Sequence, residues 1–172
     1  MTQPSNPEEL KQYDDIRIGG LATSCGNAPV DTALFSEIMD SKVWVGGSVA
    51  EWNRPMTPFF RHILNLYPWM TYDVPTGVNY KELRMLDSHH IDTGFLEEAG
   101  EFLDNAVYKP GPVLIHCQAG INRSNFVLAY WLVTRNGWTP DEAIDRIRER
   151  RGPTSLCNPS FESYIRGLQH AV

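Results

Sequence analysis

The sequence predicts an α/β domain, a central and mostly parallel sheet flanked by helices. Three observations predict it: short β-rich runs come early, a buried apolar triplet sits mid-chain, and amphipathic or apolar helices alternate with strands toward the C-terminus. At 172 residues the chain has room for one domain with a proper core. We expect an N-terminal extension over residues 1–40, flexible in its first 15 residues, followed by the domain itself over 41–172.

Asp31 to Asp40 (DTALFSEIMD) places Leu34, Phe35, Ile38 and Met39 at helical spacing behind a capping Asp31, which predicts a short helix. Lys42 to Gly46 (KVWVG) is rich in β-branched and aromatic residues and ends at a Gly-Gly turn, so it reads as a strand. His62 to Leu66 (HILNL) reads as a second strand and Tyr80 to Leu86 (YKELRML) as a third. From Asp92 to Tyr108 the period changes. Phe95, Leu96, Ala99, Phe102, Leu103 and Ala106 recur at helical spacing, with Glu97, Glu98 and Glu101 toward the N-terminal half, where carboxylates suit the helix dipole. The run KPGP then breaks the chain, and Val113 to Ile115 (VLI) reads as a strand buried on both faces. Ser124 to Arg135 is apolar nearly all round, a core helix stopped by Asn136-Gly137. Thr139-Pro140-Asp141-Glu142 is a capping box opening a third helix, and Asn158-Pro159 opens a fourth with Phe161, Ile165 and Leu168 on its apolar side.

Composition narrows the function classes. A 42% apolar fraction and 21% charged fraction are ordinary for a globular domain. No run approaches the ~20 apolar residues of a membrane span, and the polar N-terminus lacks the pattern of a secretory signal, so the expectation is a cytoplasmic protein that does not engage membranes. A net charge of −6 argues against a broad nucleic-acid surface. Three cysteines, Cys25, Cys117 and Cys157, are too few for a disulfide framework and form no C-x-x-C pair for zinc.

The chemistry concentrates in His116 to Ser124 (HCQAGINRS), between a buried strand and a buried helix. A turn in that place aims successive backbone N–H groups at one point, and the following helix adds its N-terminal amides and positive dipole end, so the loop suits a phosphate. Gln118, Ala119, Gly120, Ile121, Asn122 and Arg123 would form the cradle. Gly120 permits backbone geometry closed to other residues, and the planar fork of Arg123 matches two phosphate oxygens. Cys117 would be shifted toward thiolate there and attack phosphorus in line, giving a phosphocysteine intermediate without metal or cofactor. Ser124 would donate to the sulfur as it leaves, and His116 would fix the loop and tune the thiol. Taken singly, a cysteine after an apolar strand is a small buried hydrophobe, Ser124 a helix cap and Arg123 a surface charge. Their coincidence at one anion-binding loop is what points to a nucleophile.

The motif of His-Cys, five residues, then Arg-Ser resembles the signature loop of the cysteine-dependent dual-specificity protein phosphatases within the protein tyrosine phosphatase superfamily, a likeness that runs from about residue 40 to 170. That resemblance implies hydrolysis of phosphotyrosine and of phosphoserine or phosphothreonine, with a phosphorylated protein or peptide as partner. It also implies a general-acid aspartate on an upstream loop. Asp87, thirty residues before Cys117 and directly after an apolar strand, is preferred; Asp92 is better explained as a helix N-cap, and His89 and His90 as exposed loop residues. The lysines that inositol-lipid phosphatases carry inside this loop are absent. Gly120-Ile121-Asn122-Arg123 echoes the RNA 5′-triphosphatase branch, which gives a second reading, an RNA or nucleotide phosphatase. A third is a phosphobinding module without turnover. An exposed thiolate would also be open to oxidation, with Cys25 or Cys157 as resolving thiols. The cluster Arg146, Arg148, Arg150 and Arg151 reads as a solvated face, or as a site for a second substrate phosphate.

Overall fold

The computed structural model describes residues 17–18, 32–33, 35–40, 42–47, 59–67 and 73–168. The tail over residues 1–15 and Cys25 lie outside the described residues. The strands are β1 (Arg17–Ile18), β2 (Thr32–Ala33), β3 (Phe35–Met39), β4 (Val43–Gly46), β5 (His62–Asn65), β6 (Asn79–Glu82) and β7 (Val113–His116). The helices are α1 (Thr93–Val107), α2 (Arg123–Arg135), α3 (Pro140–Arg151) and α4 (Pro159–Arg166). β1 and β2 make a small antiparallel pair, and the main sheet has the order β3-β4-β7-β5-β6. β4, β7, β5 and β6 are mutually parallel, whereas β3 is antiparallel to β4. The mostly parallel sheet expected from the sequence is therefore present, with an antiparallel strand at one edge.

The predicted helix over Asp31 to Asp40 is a correction: this stretch forms β2 and β3. Its apolar residues three apart satisfy a strand because both faces of the sheet are covered. Ile38 packs in the core shared with the helices, while the Phe35 ring lies edge-on to Phe60, 5.3 Å between centroids, on the other face. Strand pairing outweighs the weak local preference of five residues. A register irregularity between Glu37 and Met39 and a turn at Asp40 (φ 34°) lead the chain back into β4. The sheet thus begins at Phe35, inside the segment assigned to the N-terminal extension.

Alternation along the central strands sorts the core. Val43, Val45, Leu64, Val113 and Ile115 join the helix-side cluster, and Trp44 turns to the other face, edge-on to Phe59 and Phe60. Burial on both sides explains why VLI is an unbroken apolar run. α2 is the centre of the helical layer, touching α1, α3 and α4, and is buried continuously from Arg123 to Val133. Phe126 stacks on Phe161 of α4 at 4.3 Å. Arg135 clasps Glu97 and Asp104 of α1 at 2.6 and 2.5 Å. Asp92 caps α1, accepting from the Phe95 N–H, and Thr139 with Glu142 completes the predicted capping box of α3.

This order makes β7 the middle strand, flanked on both sides by parallel neighbours. The segment that leaves its carboxyl end enters α2 at once, which is where open α/β sheets place ligands.

Candidate active site

β7 is in register with Gly46 and Asn65 at His116, and the Cys117 N–H continues the ladder by donating to the Gly46 carbonyl at 3.2 Å. Cys117 is therefore delivered by a strand rather than by a free loop. It is a free thiol, 2% exposed. The sulfur lies at the floor of the loop, which corrects the expectation of an exposed thiolate. Cys157, the described candidate for a resolving thiol, is disulfide-bonded.

The next turn is set by Gly120 (φ +69°), where a Cβ would stand 2.4 Å from the Gly46 carbonyl carbon and 2.3 Å from Arg151 Nη2. Both the conformation and the space exclude a side chain. The carbonyls of this turn are engaged from behind. Ala119 O accepts from Arg151 Nη2 (3.2 Å), Gly120 O from Arg151 Nε (2.9 Å) and Asn125 Nδ2 (3.1 Å), and Ile121 O from Asn125 Nδ2 (2.7 Å) and the Leu156 N–H (2.8 Å). In a trans peptide the N–H points opposite to the C=O, so the N–H groups of Gly120, Ile121 and Asn122 are turned the other way. The first of them donates to Cys117 Sγ at 3.3 Å. Ser124 Oγ, in the first turn of α2, is 3.6 Å from the same sulfur. Gln118 is exposed and Ala119 partly so, which puts them at the rim.

Arg123 is 7% exposed and lies over the Tyr67 ring, 5.1 Å from its centroid, with Nη1 donating to the Met85 carbonyl at 3.2 Å. Its Nε is buried without a hydrogen-bond partner, one of three such side-chain atoms among the described residues. A buried cationic donor left unpaired is costly unless something anionic is meant to meet it.

His116 is wholly buried, and burial pushes its imidazole down to about 4, so it is neutral at pH 7. It acts on the loop as a polar neighbour, with Nδ1 3.4 Å from the Cys117 carbonyl, and not as a cation. The unfolded chain takes up a proton near pH 6.5 that the folded chain refuses until about pH 4, so this residue's contribution is intact above 6.5 and is lost as pH falls through that window. In urea titrations the wild type should lose about 2 kcal/mol more stability than His116→Gln between pH 7 and pH 5. Equal losses in the two proteins would contradict the assignment.

The two aspartates separate cleanly. Asp92 is exposed at the start of α1, where its side chain caps the helix. Asp87 reaches the loop: Oδ2 accepts from Asn122 Nδ2 at 2.9 Å, and Oδ1 from Asn158 Nδ2 at 2.7 Å. His89 and His90 are exposed.

Arg151 is the residue that sequence reasoning missed. It is 3% exposed, bonded to the loop carbonyls above and to Ser36 Oγ of β3 at 3.0 Å. Burial pulls it down to about 10, with the Cys117 sulfur acting against the shift, so it is cationic at neutral pH. A signal was available: Ala143, Ile144, Ile147 and Arg151 fall on one helical face, the buried one. The other arginines scatter rather than forming a second phosphate site. Arg146 Nε donates to the Ile38 carbonyl at 3.0 Å, Arg148 pairs with Glu162 at 2.6 Å, and Arg150 is exposed.

A strand-borne thiol ringed by loop amides and followed at the helix start by a buried arginine is the arrangement that comparison with known proteins then places. Residues 57–170 match the model of the family described as dual specificity phosphatase, catalytic domain, and the chain belongs to that family. It is a cysteine-dependent phosphatase of phosphorylated proteins, using the family's phosphocysteine chemistry. Dual specificity protein phosphatase 1B of Arabidopsis thaliana is 28% identical over 130 residues, covering 73% of this chain and 77% of that protein. Dual specificity protein phosphatase 5 of Homo sapiens is 37% identical over 87 residues, half of this chain but only 22% of that longer protein. Among solved structures, Tk-PTP in its active form superposes with a TM-score of 0.66 at 22% identity, over 76% of this chain and 92% of that one. Human DUSP28 gives 0.62 at 20% identity, over 77% and 90%. At such identities the structural likeness speaks for the fold. No helix among the described residues is long and apolar enough to cross a membrane.

Proposed function

We propose that Cys117, Arg123, Asp87 and Ser124 carry the reaction, on phosphotyrosine and on phosphoserine or phosphothreonine of protein substrates. The thiolate of Cys117 attacks phosphorus in line, the phosphorus–oxygen bond of the ester breaks, and the departing oxygen takes the proton of the Asp87 carboxyl. Arg123 and the N–H groups of Gly120, Ile121 and Asn122 hold the equatorial oxygens while charge redistributes. Asp87, now a carboxylate, takes a proton from the water that attacks phosphocysteine, and the Ser124 hydroxyl donates to the sulfur as it leaves. Gln118 and Ala119 stand at the rim, where the substrate chain would pass. His116 supports the loop in its neutral form.

The observation that carries this reading is the Gly120 N–H aimed at Cys117 Sγ from a turn whose three carbonyls face the opposite way. The RNA 5′-triphosphatase reading rests on the run Gly120-Ile121-Asn122-Arg123; within that run the Asn122 side chain donates to Asp87, the proposed general acid. Phosphate release should be compared on tyrosine- and threonine-phosphorylated peptides and on 5′-triphosphorylated RNA at matched concentrations. Turnover of both peptide classes above the RNA is expected, and a strong preference for the RNA would displace the assignment.

A further inference from the structure

The segment from Leu83 to Asp92 contains neither helix nor strand, yet the Asp87 carboxylate within it is gripped at both oxygens. We propose that Asn122 and Asn158 are positioning residues that fix Asp87 against the signature loop, and that this clamp is what lets the enzyme expel poor leaving groups, the alkoxides of serine and threonine above all. The inference rests on Asp87 being the general acid.

The orientation of both amides is set by chemistry. The Asn158 N–H lies 3.0 Å from Asn122 Oδ1, and the Ser160 N–H lies 3.0 Å from Asn158 Oδ1. A backbone N–H can only donate, so those side-chain atoms are oxygens. Each Nδ2 is thereby turned toward Asp87, at 2.9 and 2.7 Å, and that of Asn158 also reaches the Ser88 carbonyl at 3.2 Å. Asn122 and Asn158 are 2% and 5% exposed, so these bonds form away from bulk water. Asp87, Asn122 and Asn158 close a ring of hydrogen bonds linking three parts of the chain. One member, Asn122, is five residues after Cys117 in the loop that holds the phosphate. The acid and the nucleophile are thus referenced to the same rigid turn.

Positioning of an acid is felt in proportion to how badly the leaving group needs its proton. Aryl and alkyl esters therefore respond differently to a loosened clamp. A side chain that merely supports the fold would slow both alike.

The test compares kcat/KM, which reports the step that expels the leaving group, on p-nitrophenyl phosphate, whose leaving group is good, and on phenyl phosphate, whose leaving group is poor. Asn158→Ser keeps an oxygen to cap Ser160 but loses the donor to Asp87, and Asn122→Ala removes the other donor. In each, the ratio of phenyl to nitrophenyl kcat/KM should fall about tenfold, against about a hundredfold in Asp87→Asn. Asn158→Ser added to Asp87→Asn should lower the ratio no further. If the ratio in Asp87→Asn equals that of the wild type, the acid assignment and the clamp both fall. If Asp87→Asn lowers it while Asn158→Ser and Asn122→Ala do not, or if Asn158→Ser still lowers it in the Asp87→Asn background, the clamp alone falls.

Discussion

Replacing Cys117 with serine is expected to lower kcat by about 10⁵-fold or more while phosphorylated ligands still bind. A serine hydroxyl does not ionise near neutral pH, so it cannot attack phosphorus as a thiolate does. Little else at the site changes. The N–H groups of the turn are oriented by carbonyls that Arg151, Asn125 and Leu156 hold from behind, and none of those contacts uses the sulfur. Stopped-flow assay with p-nitrophenyl phosphate should show no nitrophenolate burst, and calorimetry should return an affinity for inorganic phosphate within a few-fold of that of the wild type. Substantial turnover by Cys117→Ser would mean that the nucleophile lies elsewhere.

The second large effect falls on Arg123. Removing the guanidinium as Arg123→Ala should cost about 10³-fold in kcat, since cationic donors aimed at a transferring phosphoryl group contribute at that scale. Arg123→Lys should recover little of it, because one ammonium cannot present two parallel donors to a phosphate edge. Arg123→Ala also frees the Met85 carbonyl and uncovers the Tyr67 ring, so a stability loss of about 1–3 kcal/mol is expected beside the kinetic one. Measuring kcat at saturating substrate well below the melting temperature separates the two. A lysine variant with near wild-type kcat would remove the fork from the mechanism.

The sequence made the reacting loop readable because its chemistry is local. Cys117, Gly120, Arg123 and Ser124 are close neighbours in the chain, and their types match the demands of one anion. The helices were readable for the same reason, through the capping oxygens of Asp92, Thr139 and Asn158 and the spacing of the apolar residues behind them. What escaped depended on distant segments meeting. Phe35 to Met39 looked helical because nothing local announces a strand that buries one apolar residue on each face. Arg151 looked like part of a basic surface because its three charged neighbours are nearby in sequence, whereas its partners Ala119, Gly120 and Ser36 are not. The ring of Asp87, Asn122 and Asn158 spans 71 residues, and only the fold brings its members together.

Arg151 has one further implication. Its guanidinium fastens the back of the phosphate loop to Ser36, while Arg146 on the same helix fastens to Ile38 next door. Both anchor points precede residue 57, where the family match begins. The outermost ribbon of the sheet is therefore a foundation for the reacting turn rather than trim, and an enzyme cut back to the matched region would keep every reacting group yet lose the ground that one of its main supports stands on.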